Sequence, residues 1–176
     1  RLYPKLAWQA ICSNRRFYVP YLLALVGNIA AYYIMSALVL DPGVENMAPS
    51  RPNAYMYVKV MMTLGMIIAL LFSVIFVLYV NSFLMKRRKK ELGLYNILGM
   101  GKVHISAVLF YETVYVALIA IPGGLLLGAA LHKLVTLTLY KLLRMPVPFG
   151  ISFSLPAMAL TAVLFGALIL LTLLTN

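Results

Sequence analysis

Four apolar runs, each about as long as a lipid bilayer is thick, constrain this chain more than any other feature. They cover roughly Phe17 to Leu40, Val60 to Met85, Val103 to Leu131 and Leu155 to Thr175. A helix needs about 20 apolar residues to cross the hydrocarbon core. Within that core a single segment can satisfy its own backbone only as a helix. The expected fold is therefore an all-α membrane protein with four transmembrane helices. Hydrophobic residues make up 64% of the 176, where a soluble domain holds about half. The first run is too long for a signal-peptide core and no small-residue cleavage site follows it, so it reads as a retained span. The whole stretch reads as part of a longer protein.

Charge sets the expected orientation. Lys and Arg number 15 against 4 Asp and Glu, a formal net charge of +11. Most of the basic residues flank the ends of apolar runs, the placement of a membrane protein and not of a nucleic-acid binder. Arg1, Lys5, Arg15 and Arg16 precede the first span; Lys86 to Lys90 and Lys102 lie between the second and third. Against these ten, the other side has Arg51, Lys59, Lys133, Lys141 and Arg144. The bias puts the N-terminus in the cytoplasm of a cell whose membrane this chain crosses several times. The outer loop Asp41-Pro-Gly-Val-Glu45 is too short to be a domain. Cys12 is the one cysteine, which excludes an intrachain disulfide and a multi-cysteine metal site. With no H-E-x-x-H and no G-x-S-x-G, no catalytic, metal or cofactor site is expected.

The stretch between the second and third runs opens with Lys86-Arg-Arg-Lys-Lys90 and ends in Gly99-Met-Gly-Lys102. It is not a phosphate loop, which needs G-x-x-x-x-G-K-[ST]; Asn96 holds the place of the first glycine and Val103 that of the hydroxyl. Leu92, Tyr95 and Leu98 recur at helical spacing, with Leu94 and Ile97 beside them. That pattern predicts a short amphipathic helix closed by Gly99 and Gly101. Its apolar face has two uses, the membrane interface or a groove on a partner. The second run is longer than a span requires, so its helix is expected to tilt or to continue past the membrane. Leu2 to Asn14 alternates apolar and polar residues around Trp8, which suits an interfacial helix. Lys133 to Arg144 predicts a short surface helix on the outer side, closed by Pro146 and Pro148.

Lys90-Glu-Leu-Gly-Leu-Tyr-Asn-Ile-Leu-Gly99 resembles the K-E-[IL]-G-[IL]-x-x-x-[IL]-G signature of FtsX-like permeases, the MacB-type or type VII class of ABC transporters. Phe110 to Gly124, with its early Glu and later Gly-Gly, is similar to that family's third span. Lys5 to Arg16 resembles its amphipathic N-terminal segment. Most such permeases carry a large extracellular domain between the first two spans. Here only the Asp41 to Tyr57 loop lies there, which resembles the ten-span bacitracin-resistance subgroup and implies its N-terminal part. The resemblance implies a coupling segment at about 86–102 that docks on a cytoplasmic ABC ATPase dimer. Glu91, Leu92, Gly93, Leu94, Tyr95, Leu98 and Gly99 would form the docking face. It implies a permease without catalytic activity of its own, ATP hydrolysis in the partner, and a role in antimicrobial-peptide resistance or sensing. In the sensing role a sensor histidine kinase is a further partner. The alternatives are a same-fold permease for other cargo, such as lipoprotein release, and a four-span scaffold subunit without transport.

Glu112 is the clear acid within a span. A lipid-facing carboxylate costs several kcal/mol, so it must face the bundle, be protonated or reach a partner. A packing hydrogen bond inside the bundle is the expected role, ahead of a proton relay. Gly124-Leu-Leu-Leu-Gly128 has the G-x-x-x-G spacing that permits close helix approach. Cysteines introduced at Gly43 and at Lys102 on a Cys12-free background test the orientation. An impermeant thiol reagent should label the Gly43 position in intact cells. Labelling of the Lys102 position from outside would reverse the topology.

Overall fold

The computed structural model describes residues 2–40, 52–97, 101–142 and 154–174. The described residues form α1 (Leu2–Ser13), α2 (Arg15–Val39), α3 (Pro52–Ile97), α4 (Lys102–Leu142) and α5 (Leu155–Leu174). Four of these, α2 to α5, are long and apolar enough to cross a membrane. The Asp41–Glu45 loop, Leu98, Gly99, Pro146 and Pro148 lie outside the described residues.

Two expected breaks are missing. Residues 86–97 form no separate helix but continue α3 without interruption. Pro52 suits the first turn of a helix, and no proline follows it until Pro122, so nothing in the sequence forces a stop. At 1.5 Å per residue, the 46 residues of α3 span about 69 Å, roughly twice the hydrocarbon core. The separate outer helix expected from Lys133 is likewise the end of α4. Pro122 lies inside α4 and does not break it, as packed neighbours allow in membrane helices.

The core gathers around α2. Its Tyr18, Tyr21, Leu25, Ile29 and Tyr32 are buried with Val77 and Leu84 of α3, Val116 and Ala120 of α4, and Phe165 of α5. A smaller cluster joins Tyr33 and Ala37 to Ala157 of α5. The chain turns between α1 and α2 at Asn14, where the Arg15 Nε donates to the Cys12 carbonyl at 3.1 Å. The α1 helix then lies along α4, with Ala7, Ala10 and Ile11 buried and the Trp8 ring edge-on to Tyr115 at 5.7 Å. Of the four long apolar helices α3 is the least buried.

On α4 the buried residues recur in steps of four: Val108, Glu112, Val116, Ala120, Gly124, Gly128 and His132. Four residues advance a helix by about 40° more than a full turn, so this seam winds around α4. Small residues along such a ridge let two backbones approach. A Cβ on Gly124 would sit 2.6 Å from the Ile29 Cβ and 3.2 Å from the Val26 carbonyl; one on Gly128 would sit 2.8 Å from the Tyr33 ring and 3.2 Å from the Ala30 Cα. The G-x-x-x-G spacing thus serves α2 of the same chain. Gly124→Ala should destabilise the purified permease by about 1–3 kcal/mol, the usual penalty of overpacking. Gly27→Ala, where a Cβ meets nothing within 4 Å, should be close to neutral. Thermal unfolding in detergent measures both.

Candidate functional site: a buried ion pair joining three helices

The intramembrane acid is paired. Glu112, ten residues into α4, receives a bidentate contact from Arg88 of α3. Nη2 donates to Oε1 at 2.9 Å, and Nη1 donates to Oε2. Arg88 Nη1 also reaches the Tyr18 hydroxyl at 2.8 Å, and that hydroxyl donates to Glu112 Oε2 at 3.2 Å. The guanidinium lies over the Tyr18 ring, 5.6 Å from its centroid. All three side chains are 4% exposed or less. Three helices therefore meet at one charge pair.

The local sequence explains why this arginine points inward. Val77, Asn81, Leu84 and Arg88 are the buried stripe of α3, spaced three or four residues apart on one helix face. Its neighbours take other faces. Lys86 and Lys89 are exposed, and the exposed Arg87 stacks its guanidinium near the Phe17 and Phe83 rings, at 6.0 and 5.3 Å. What reads as one basic run is split by the helix into surface charge and a core residue. Glu112 sits on the four-residue seam of α4, and Tyr18 opens the buried face of α2. The signal in the sequence was this spacing; reading Lys86 to Lys90 as a single block concealed it.

A cavity of about 170 Å³ adjoins the pair, lined among others by Tyr21, Asn81, Ser106, Thr113 and Thr172. One water needs about 30 Å³, so the volume gives room for a few waters beside these polar groups, although most of the wall is apolar. Elsewhere the bundle holds smaller, neutral polar links. Ser73 donates to Asn28 Oδ1 at 3.1 Å, and the Ser36 and Thr161 hydroxyls stand 3.5 Å apart. Among the described residues no three His, Cys, Asp or Glu cluster as a metal site.

The other sequence candidates lie elsewhere. Glu91, Leu92, Gly93, Leu94 and Tyr95 occupy the last turns of α3, beyond Arg88. Gly93 and Leu94 are exposed. This group and Arg88 lie on one continuous helix.

The pair changes what substitution should do. A packing hydrogen bond would tolerate Glu112→Gln, but here Gln leaves the Arg88 charge buried without its counter-ion. Removing one partner of a buried ion pair costs about 3–5 kcal/mol. Glu112→Gln and Glu112→Leu should both lower membrane levels and detergent stability. The Arg88→Gln/Glu112→Gln double variant should recover much of that loss, because no charge is stranded. Tyr18→Phe should cost less, about 1.5–3 kcal/mol for a hydrogen bond to charged groups. Equal damage from the double and single variants would mean that the two side chains do not act as a pair.

Comparison with known proteins places this geometry in a family. Residues 63–175 match the family model described as FtsX-like permease C-terminal, so Arg88 and Glu112 lie inside the matched region and Tyr18 outside it. That description names the C-terminal region, whereas the sequence resemblance implies an N-terminal part. The chain is 30% identical over 168 residues to the bacitracin export permease protein BceB of Halalkalibacterium halodurans, covering 96% of this chain and 25% of that protein. It is 30% identical over 164 residues to the protein of the same name in Bacillus subtilis strain 168, covering 93% and 25%. An uncharacterized ABC transporter permease of that strain, YvcS, is 28% identical over 167 residues, covering 94% and 25%. The chain spans about a quarter of the length of the curated relatives it matches. Four membrane-length apolar helices, the packed seam between them and a family match over well over half of the residues lead to one conclusion: the chain is a multi-pass membrane segment that belongs to the FtsX-like permease family.

Proposed function

We propose that this segment forms the first four spans of a longer permease in an ATP-driven type VII ABC transporter, serving resistance to or sensing of bacitracin-like antimicrobial peptides. The observation that carries the reading is the similarity, over nearly the whole chain, to two bacitracin export permeases. The segment binds no nucleotide itself. A separate cytoplasmic ATPase dimer hydrolyses ATP and docks on the end of α3, through Glu91, Leu92, Gly93, Leu94, Tyr95, Leu98 and Gly99. The N-terminus is cytoplasmic, at the cell membrane. In a sensing role the permease also meets a sensor histidine kinase.

The unbroken α3 supports this mechanism. A docking face at the end of a separate loop helix would pass force through a hinge. A face on the last turns of a helix of about 69 Å passes it along a rod with a hydrogen bond at every residue. ATP-driven closure of the ATPases would then be felt on the far side of the membrane without a loop in the path.

Truncating a buried anchor at an interface costs about 1–4 kcal/mol. Tyr95→Ala with Leu98→Ala in the full-length permease should therefore cut recovery of the co-expressed ATPase in detergent at least tenfold and abolish resistance. Membrane levels should hold, because the spans and basic cluster are intact. Undiminished ATPase recovery and turnover would mean that this face does not dock the ATPase.

A further inference from the structure

We infer that the Arg88–Glu112–Tyr18 cluster is the pivot on which α3 tilts, making these three side chains positioning residues for force transmission. The inference rests on the proposed function for the source of the force, an ATPase acting on the last turns of α3. The pivot itself rests on geometry. The α3 helix packs mainly on α2, its direct contact with α4 is slight, and the bidentate pair is the strongest link between α3 and α4. The α3 helix meets the bundle through a narrow stripe, Ser73, Val77, Asn81, Leu84 and Arg88. From Met56 to Ile68 its side chains are exposed or only partly covered. The side chains that hold α3 therefore lie in the half of its apolar span that ends at Arg88, and this last one is charged, directional and fixed on two other helices.

A rod held near one end is a lever. From Arg88 the outer arm runs back to Pro52 and the inner arm on to Ile97. At 1.5 Å per residue the arms are about 54 Å and 14 Å. A small push at the docking end becomes a movement about four times as large at the far end. Apolar contacts such as Val77 and Leu84 against α2 slide at little cost, and the Ser73–Asn28 hydrogen bond is a single neutral link, weaker than a charge-assisted bidentate pair. A bidentate guanidinium–carboxylate pair does not slide, since both of its hydrogen bonds fix direction as well as distance. The α2–α4 seam, with no room for a Cβ at Gly124 or Gly128, supplies the rigid body against which α3 turns.

Spin-label distances in the full-length permease, co-purified with its ATPase in nanodiscs on a cysteine-free background, test the pivot. One label pair brackets the ion pair, at Ser82 of α3 and Val114 of α4; another reports the outer arm, at Leu64 and Leu134. All four positions are exposed. Between the nucleotide-free and vanadate-trapped states, the outer distance should shift while the distance beside the pivot stays within its original width. In Arg88→Gln/Glu112→Gln the distance beside the pivot should broaden and the outer shift should shrink by at least half, with the ATPase still bound. The charge-swapped Arg88→Glu/Glu112→Arg protein should lie between the two. The pivot is overturned if both distances shift equally in the unsubstituted protein, if neither shifts, or if the neutral pair behaves like the parent. Failure of both paired variants to assemble would also overturn it, making the cluster a requirement for folding only. Failure of the docking assignment shows separately, as ATPase retained by the Tyr95→Ala/Leu98→Ala protein.

Discussion

A charge held inside a membrane bundle is tolerated only while its partner is present, and that condition organises one end of this bundle. Arg88 and Glu112 would each be costly alone in a low-dielectric setting. Together they fix the rotation of α3 about its axis, since Arg88 must face inward. They fix the depth of α3 relative to α4, since a bidentate pair accepts only one register. Through the Tyr18 hydroxyl they fix α2 as well. Apolar packing cannot do this in lipid, where a leucine is as comfortable against an acyl chain as against a neighbouring helix.

Two of the helix contacts in the bundle are built on different physics. Along α2 and α4 the backbones come so close that glycine is required, and the attraction is van der Waals contact summed over a long seam. Between α3 and α4 little touches, and one ion pair serves instead. The first contact is stiff over its whole length. The second is stiff at a point.

Much of the fold was legible because its signals are long. Four apolar runs of bilayer length gave the helices, and proline and glycine near their ends gave approximate bounds. Where the reading erred it assigned too many elements. The continuation of the second helix past its span was expected, but the short amphipathic helix read around Leu92 is part of α3 and the surface helix read from Lys133 is part of α4. A helix needs no apolar face to continue, only the absence of a stop, and neither place has one. The site was half legible. Glu112 stood out because an acid in an apolar run is rare; Arg88 did not, because an arginine among lysines at the end of a span is ordinary. Its register with Asn81 and Leu84 distinguished it, and that register can be trusted only once α3 is known to run on unbroken.

The separation of the two charges in sequence bears on how the protein is made. Arg88 precedes Glu112 by 24 residues, so the second span leaves the ribosome before its counter-charge exists. Until then a side chain as long as that of arginine can keep its charge in water at the lipid headgroups. Only when the third span enters does a carboxylate become available at the right depth. The guanidinium can then leave the headgroups and close against α4. The pair can therefore close only after both helices have been made.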